Sequence, residues 1–154
     1  MRSELCGQDW LAALAAEVLG TDQVGTMPSS FFRARFPDDE RACLPWHQDV
    51  QCLKWIANVS FLTVWIPLVD IGSSDACLEV SPVDQEQDEL QPVWSEGAEY
   101  VRMGDGDVDR LTDTRLVPMH RGDVLLFSPY LPHRSLVNRG SQIRWSIDLR
   151  FTPA

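Results

Sequence analysis

Lysine is almost missing from this chain: Lys54 is the only one among 154 residues, against twelve arginines. No function follows from that imbalance. Long apolar runs are missing too, and none approaches the roughly 18–20 residues a membrane span needs. Residues 1–20 carry no basic region ahead of an apolar core, so neither an anchor nor a secretory signal is expected, and the chain reads as cytoplasmic. The four cysteines, Cys6, Cys43, Cys52 and Cys77, form no C-x-x-C pair and are too sparse to staple a chain of this length. They read as reduced, mostly buried thiols. No G-x-S-x-G, P-loop or dinucleotide fingerprint occurs, which removes hydrolase elbows and nucleotide cradles.

What is present is globular: 44% apolar and 23% charged residues, in a length that suits one domain spanning residues 1–154. The net charge of −10 is concentrated, because Asp84–Asp113 holds ten acids against only Arg102 and Arg110. A field of that sign repels phosphate backbones and anionic lipid, so no nucleic-acid or membrane partner is expected; oligomeric state is left open. The acidic stretch is long for a structureless connection and reads as a lid or a solvated excursion. Asp105, Asp107 and Asp109 hint at a calcium loop, but Arg110 stands at its sixth position and Leu116 at its twelfth, which rejects an EF-hand.

Residues Trp10–Leu19 place Leu11, Leu14, Ala15 and Val18 on one face at helical spacing, with Gly20 as the stop. Short β-like runs follow at 31–36, 61–68, 76–80, 116–120, 123–128, 133–137 and 144–151, separated by turn-forming clusters. That series predicts a mainly β fold, an antiparallel sandwich or small barrel with one helix packed outside.

Chemistry concentrates in two places. In Trp46-His47-Gln48-Asp49, an extended backbone would project His47 and Asp49 to one face with α-carbons about 6–7 Å apart, a two-ligand metal template. The bland reading is a histidine hydrogen-bonded to a nearby acid. If Arg139-Gly140 occupy the turn of a C-terminal hairpin, His133 faces Ser146 and Ser135 faces Arg144. In the last strand Trp145, Ile147, Leu149 and Phe151 alternate with Arg144, Ser146, Asp148 and Arg150, so one face packs and the other is either solvated or lines a site. A histidine, two hydroxyls and an arginine on one face suit a metal held beside a carboxylate. Two histidines and one carboxylate form the ligand set of non-haem Fe(II) oxygenases. His120 reads as a surface histidine.

These elements, in this order and spacing, together with Thr63-Val64-Trp65-Ile66-Pro67-Leu68 and Gly122-Asp123-Val124-Leu125-Leu126-Phe127, resemble the phytanoyl-CoA dioxygenase family of Fe(II)/2-oxoglutarate oxygenases. The resemblance runs from about Phe31 to Phe151. It implies a double-stranded β-helix (jelly roll, cupin-like) with His47, Asp49 and His133 as iron ligands and Arg144 gripping the distal carboxylate of 2-oxoglutarate. Ser135 and Ser146 would support that carboxylate, and Thr63 or Trp65 would line the pocket. It implies Fe(II), 2-oxoglutarate and O2 as the reacting set, a small-molecule substrate hydroxylated at a C–H bond, and release of succinate and CO2. Where members usually carry a Pro-Gly-Ser-His-like turn, this chain reads Ser81-Pro82-Val83-Asp84-Gln85, and members are usually longer at the N-terminus. The alternatives are a non-catalytic jelly-roll module that keeps the metal or ligand pocket, a truncated member, or a structural sandwich with accidental histidines.

Overall fold

A computed structural model describes residues 8–52, 60–82, 90, 92–94 and 101–154. The chain opens with helix α1 (Asp9–Leu19), which Gly20 ends in the left-handed conformation at φ 66°, its N–H returning to the carbonyls of Ala16 and Glu17. Strands β1 (Val24–Thr26) and β2 (Phe31–Arg35) follow, then a short helix α2 (Asp49–Cys52). Next come β3 (Leu62–Pro67), β4 (Leu78–Val80), β5 (Pro92–Trp94) and β6 (Val101–Met103). The one-turn helix α3 (Asp105–Val108) leads to β7 (Arg115–Val117), β8 (Leu125–Phe127), β9 (His133–Ser135) and β10 (Arg144–Pro153).

Among the described residues every strand pair is antiparallel; two principal sheets make the jelly roll, and β5 and β6 pair separately. The larger runs β1-β10-β3-β8, with β2 also pairing β10 at Arg144–Asp148. The smaller runs β7-β4-β9. Trp65 and Phe127 of the large sheet pack with Cys77 and Leu78 of the small one, which closes the space between them. Cys43, Cys52 and Cys77 are free thiols, of which only Cys77 is fully buried.

β10 carries the architecture. Its alternation sends Ile147, Leu149 and Phe151 outward, where Leu11 and Ala15 of α1 cover them in one apolar cluster with Leu62, Val64 and Ile66 of β3. The apolar face therefore belongs to the outer layer. Its polar face is turned inward and buried, with Arg144, Ser146, Asp148 and Arg150 each 6% exposed or less, so the solvated alternative is excluded. Val18, expected on the packed side of the helix, is instead 55% exposed, and Leu19 packs in its place.

The hairpin expected between the last two strands does not form. β9 pairs with β4 and β10 pairs with β3, so residues 136–143 carry the chain from one sheet to the other. Asn138, 1% exposed, explains the crossing: its Nδ2 donates to the carbonyls of Arg35 and Gln142, and its Oδ1 accepts from the Gly140 N–H. A Cβ at Gly140 would collide with the Asp75 carboxylate, so any larger residue there requires that carboxylate to move. Two strands joined this way face one another across the interior.

Candidate functional site

His133 lies on β9, and His47 reaches it through an isolated antiparallel bridge in which each residue's N–H donates to the other's carbonyl at 3.0 Å. This bridge extends the small sheet by one residue. Immediately beyond it the chain turns into α2, so Asp49 sits at a helix start and not on an extended strand. The spacing of the pair was legible, but its backbone was not. The turn folds Asp49 back between the imidazoles, its Oδ1 4.0 Å from His47 Nε2 and 3.9 Å from His133 Nε2. One donor atom from each of the three lies within 4.8 Å of the others, and all three residues are buried.

Both rings are oriented alike. His47 Nδ1 lies 2.8 Å from the Pro45 carbonyl and His133 Nδ1 2.9 Å from the Leu131 carbonyl. A carbonyl accepts only, so each Nδ1 carries a proton, and it is Nε2 of each ring that faces Asp49. Burial, and then the neighbouring His133, push the His47 imidazole down to about 3, which keeps it neutral. Burial alone would raise the Asp49 carboxyl, yet Arg150, the two imidazoles and the Thr63 hydroxyl hold it well below the usual carboxylate range. The two carboxylate oxygens have separate tasks. Oδ2 accepts from Thr63 Oγ1 at 2.6 Å and from Arg150 Nη2 at 2.9 Å, leaving Oδ1 toward the histidines. Two imidazoles and an ionised carboxylate, each fixed from behind, fit a divalent transition metal.

Around these donors lies a cavity whose lining includes Thr63, Trp65, Phe127, Ser135 and Arg144. Every residue the sequence offered as a metal ligand or cosubstrate contact lines this one space except Ser146, which is fully buried and accepts a hydrogen bond from Arg144 Nη1 at 2.6 Å. The remaining ties of Arg144 are a bond from Nε to the Ala76 carbonyl and the face of Trp65, 5.3 Å from the guanidinium carbon. Burial and the nearby Arg35 depress its pKa to about 10, still a cation at neutral pH. Ser135 and Arg144 converge across the interior from opposite sheets, not side by side on one hairpin. His120 is exposed beside Asp70 and takes no part in the cluster.

Sequence reasoning missed the roles of Arg33, Asp148 and Arg150, which also line the cavity. Their signal was the polar half of the β10 alternation and its partner strand β2. A second omission is the pair of glutamines flanking Asp49. Gln48 Nε2 donates to the Tyr130 carbonyl at 2.6 Å and its Oε1 accepts from the Leu90 N–H at 2.9 Å, while Gln51 Nε2 donates to the Leu90 carbonyl at 2.6 Å. Residue 90 of the acidic stretch is thereby tied to the histidine-bearing segments.

A family model, phytanoyl-CoA dioxygenase (PhyH), matches residues 2–146 of this sequence. The peroxisomal phytanoyl-CoA dioxygenase of Bos taurus is 27% identical over 113 residues, covering 71% of this chain and 34% of that protein. Among solved structures, EvdO2 from Micromonospora carbonacea var. aurantiaca superposes with a TM-score of 0.80 at 19% identity, over 99% of this chain and 63% of that one. The same protein complexed with 2-oxoglutarate superposes equally well, at a TM-score of 0.80 and 18% identity, with the same coverage. The non-heme alpha ketoglutarate dependent carbocyclase SnoK from nogalamycin biosynthesis gives 0.73 at 18% identity, over 99% of this chain and 58% of that one. The chain spans about a third of the length of the curated relative and less than two thirds of these solved chains.

Proposed function

The chain belongs to the phytanoyl-CoA dioxygenase family, and from that premise we propose that it is an Fe(II)- and 2-oxoglutarate-dependent oxygenase that hydroxylates a C–H bond of a small organic substrate. The balance is substrate C–H, 2-oxoglutarate and O2 giving substrate C–OH, succinate and CO2. The observation that carries this reading is the donor set: two Nε2 atoms and one free carboxylate oxygen converging in a buried cavity, with Arg144 inside the same space.

Bound iron would supply the activation of O2 and of the 2-oxo acid. This chain's residues do the rest. His47, Asp49 and His133 would hold the metal, and the Pro45 and Leu131 carbonyls orient both rings. Arg144 takes the distal carboxylate, since a guanidinium matches it in a two-point fork, and Ser146 already orients that fork. Ser135 adds a hydroxyl, Trp65 forms a wall beneath the guanidinium, and Leu78 and Phe127 keep the chamber apolar between the charged ends. Thr63 holds Asp49 from behind. Halogenating relatives of this family lack the acidic ligand; Asp49 would supply it here, which favours hydroxylation.

The test is succinate formation from 2-oxoglutarate with Fe(II) and O2, with and without a panel of small substrates, in the parent and in His133→Ala. Iron-dependent succinate in the parent and none in the variant supports the reading. A parent that binds iron and 2-oxoglutarate yet yields no succinate with any substrate would favour the non-catalytic module. Halogenated product in the presence of chloride would refute the role given to Asp49.

A further inference from the structure

The polar interior holds four arginines and two aspartates from β2, β10 and the residues facing them. Two ion pairs use both carboxylates: Arg33 with Asp148, and Arg150 with Asp49. Arg35 and Arg144 are left over. They stand directly opposite one another in the β2–β10 register, so their side chains leave the sheet on the same face at adjoining positions. Both are buried, at 8% and 1% exposure, and neither has a carboxylate partner among the described residues. Arg144 has its serine and its carbonyl, but Nε and Nη2 of Arg35 are buried with no hydrogen-bond partner at all. Their mutual influence is visible in the depressed pKa of Arg144, for which Arg35 is the leading cause after burial.

Two like charges buried side by side, one with orphaned donors, form an arrangement that a bound anion relieves. We propose that Arg35 is a second guanidinium for the distal carboxylate of 2-oxoglutarate, closing with Arg144 into a two-arginine clamp that selects a dicarboxylate over a plain 2-oxo acid. The inference rests on the 2-oxoglutarate dependence proposed above. A carboxylate offers about four lone-pair sites, enough for contacts from both guanidinium groups. The clamp also adds to the interior's charge balance, because the carboxylate meets two arginines that form no ion pair among the described residues and feel Asp148 only from beyond ion-pair distance.

The experiment compares binding of 2-oxoglutarate and of 2-oxovalerate, in which a methyl group replaces the distal carboxylate. Binding to Mn(II)-loaded protein without O2 is measured by calorimetry in the parent, Arg35→Gln and Arg144→Ala. Arg35→Gln should weaken 2-oxoglutarate about ten- to a hundredfold, in line with loss of hydrogen bonds to a charged group, and leave 2-oxovalerate unchanged. The melting temperature of its ligand-free form should not fall, since the residue removed is a buried charge that forms no ion pair among the described residues and leaves Nε and Nη2 without hydrogen bonds. Equal weakening of both ligands would mean that Arg35 shapes the pocket, and unchanged 2-oxoglutarate binding would mean that it serves another group; either overturns the clamp. If Arg144→Ala loses 2-oxoglutarate and Arg35→Gln does not, the cosubstrate reading stands and the clamp falls. If the parent binds neither acid, the cosubstrate reading fails and the clamp with it.

Discussion

Asp49 is held from behind by two groups on neighbouring strands, Thr63 on β3 and Arg150 on β10, and that support sets which oxygen faces the histidines. Outer partners of this kind change metal affinity about ten- to a hundredfold when removed. Thr63→Val should therefore weaken Fe(II) binding by that factor while leaving the three ligands in place, as read by anaerobic metal titration. Arg144→Ala removes a buried cation from its anion, a loss of about 3–5 kcal/mol, so the 2-oxoglutarate Michaelis constant should rise a hundredfold or more. An unchanged constant would sink that assignment. The same residues set the response to acid. His47 takes a proton near 6.5 in the unfolded chain but at about 3 in the fold, and Asp49 is depressed as well. Below its ordinary pKa the unfolded chain binds protons that the folded one refuses. Stability of the metal-free protein is therefore full above about pH 6.5 and falls as the pH drops toward 3. Urea midpoints measured across that window check the sign, and a midpoint that rises on acidification would contradict it.

At the level of elements, β10 divides its labour by parity, with one face for cohesion and the other for chemistry. The two can be separated by substitution. Leu11→Ala, on the helix that covers the outer face, should cost about 2–5 kcal/mol in urea unfolding and leave 2-oxoglutarate affinity unchanged. The crossover after β9 is the opposite case, since its geometry sets where His133 and Arg144 stand relative to each other. Gly140→Ala forces a methyl group against the Asp75 carboxylate, whose Oδ2 already accepts from the Gly72 N–H. That variant should lose both stability and 2-oxoglutarate affinity, and unfolding curves run beside calorimetry would expose any separation of the two.

Over the whole molecule, charge and chemistry are segregated: most of the net negative charge lies in residues 84–113, while the interior is rich in arginine. Like charges close together favour a solvated segment, in keeping with a lid or a solvated excursion, and residues 84–89, 91 and 95–100 of that stretch lie outside the described ones. The described parts are built into the fold. β5 and β6 pair as a ribbon, Val101 and Met103 are 2% and 0% exposed, and the Met103 N–H donates to the Trp46 carbonyl beside the candidate ligand His47. Amide exchange at Met103 should consequently be slow in the free protein. Rapid exchange at Met103 in the free protein would mean that the ribbon is not docked. Among the described residues no helix is long and apolar enough to cross a membrane.

The sequence by itself determined the period-two alternation, the helix with its glycine stop, and the residue types of the site. Those features are local or combinatorial: strand parity forces Arg144, Ser146, Asp148 and Arg150 onto one face wherever the strand goes, and H-x-D with a distal histidine and an arginine is a pattern of identities. What parity leaves open is which face is inside, because a polar face suits water and a catalytic interior equally well. Only the packing of α1 on Ile147, Leu149 and Phe151 decided that. Tertiary structure also decided the partners. A turn sequence such as Arg139-Gly140 is compatible with a hairpin, but Asn138 binds the carbonyls of Arg35 and Gln142, one of them 103 residues away in sequence, and that long-range tie sends the last strand to the other sheet. The pairing of Arg35 with Arg144 has the same origin. It is a register between distant strands, set by how the sheet assembles and written in neither strand alone.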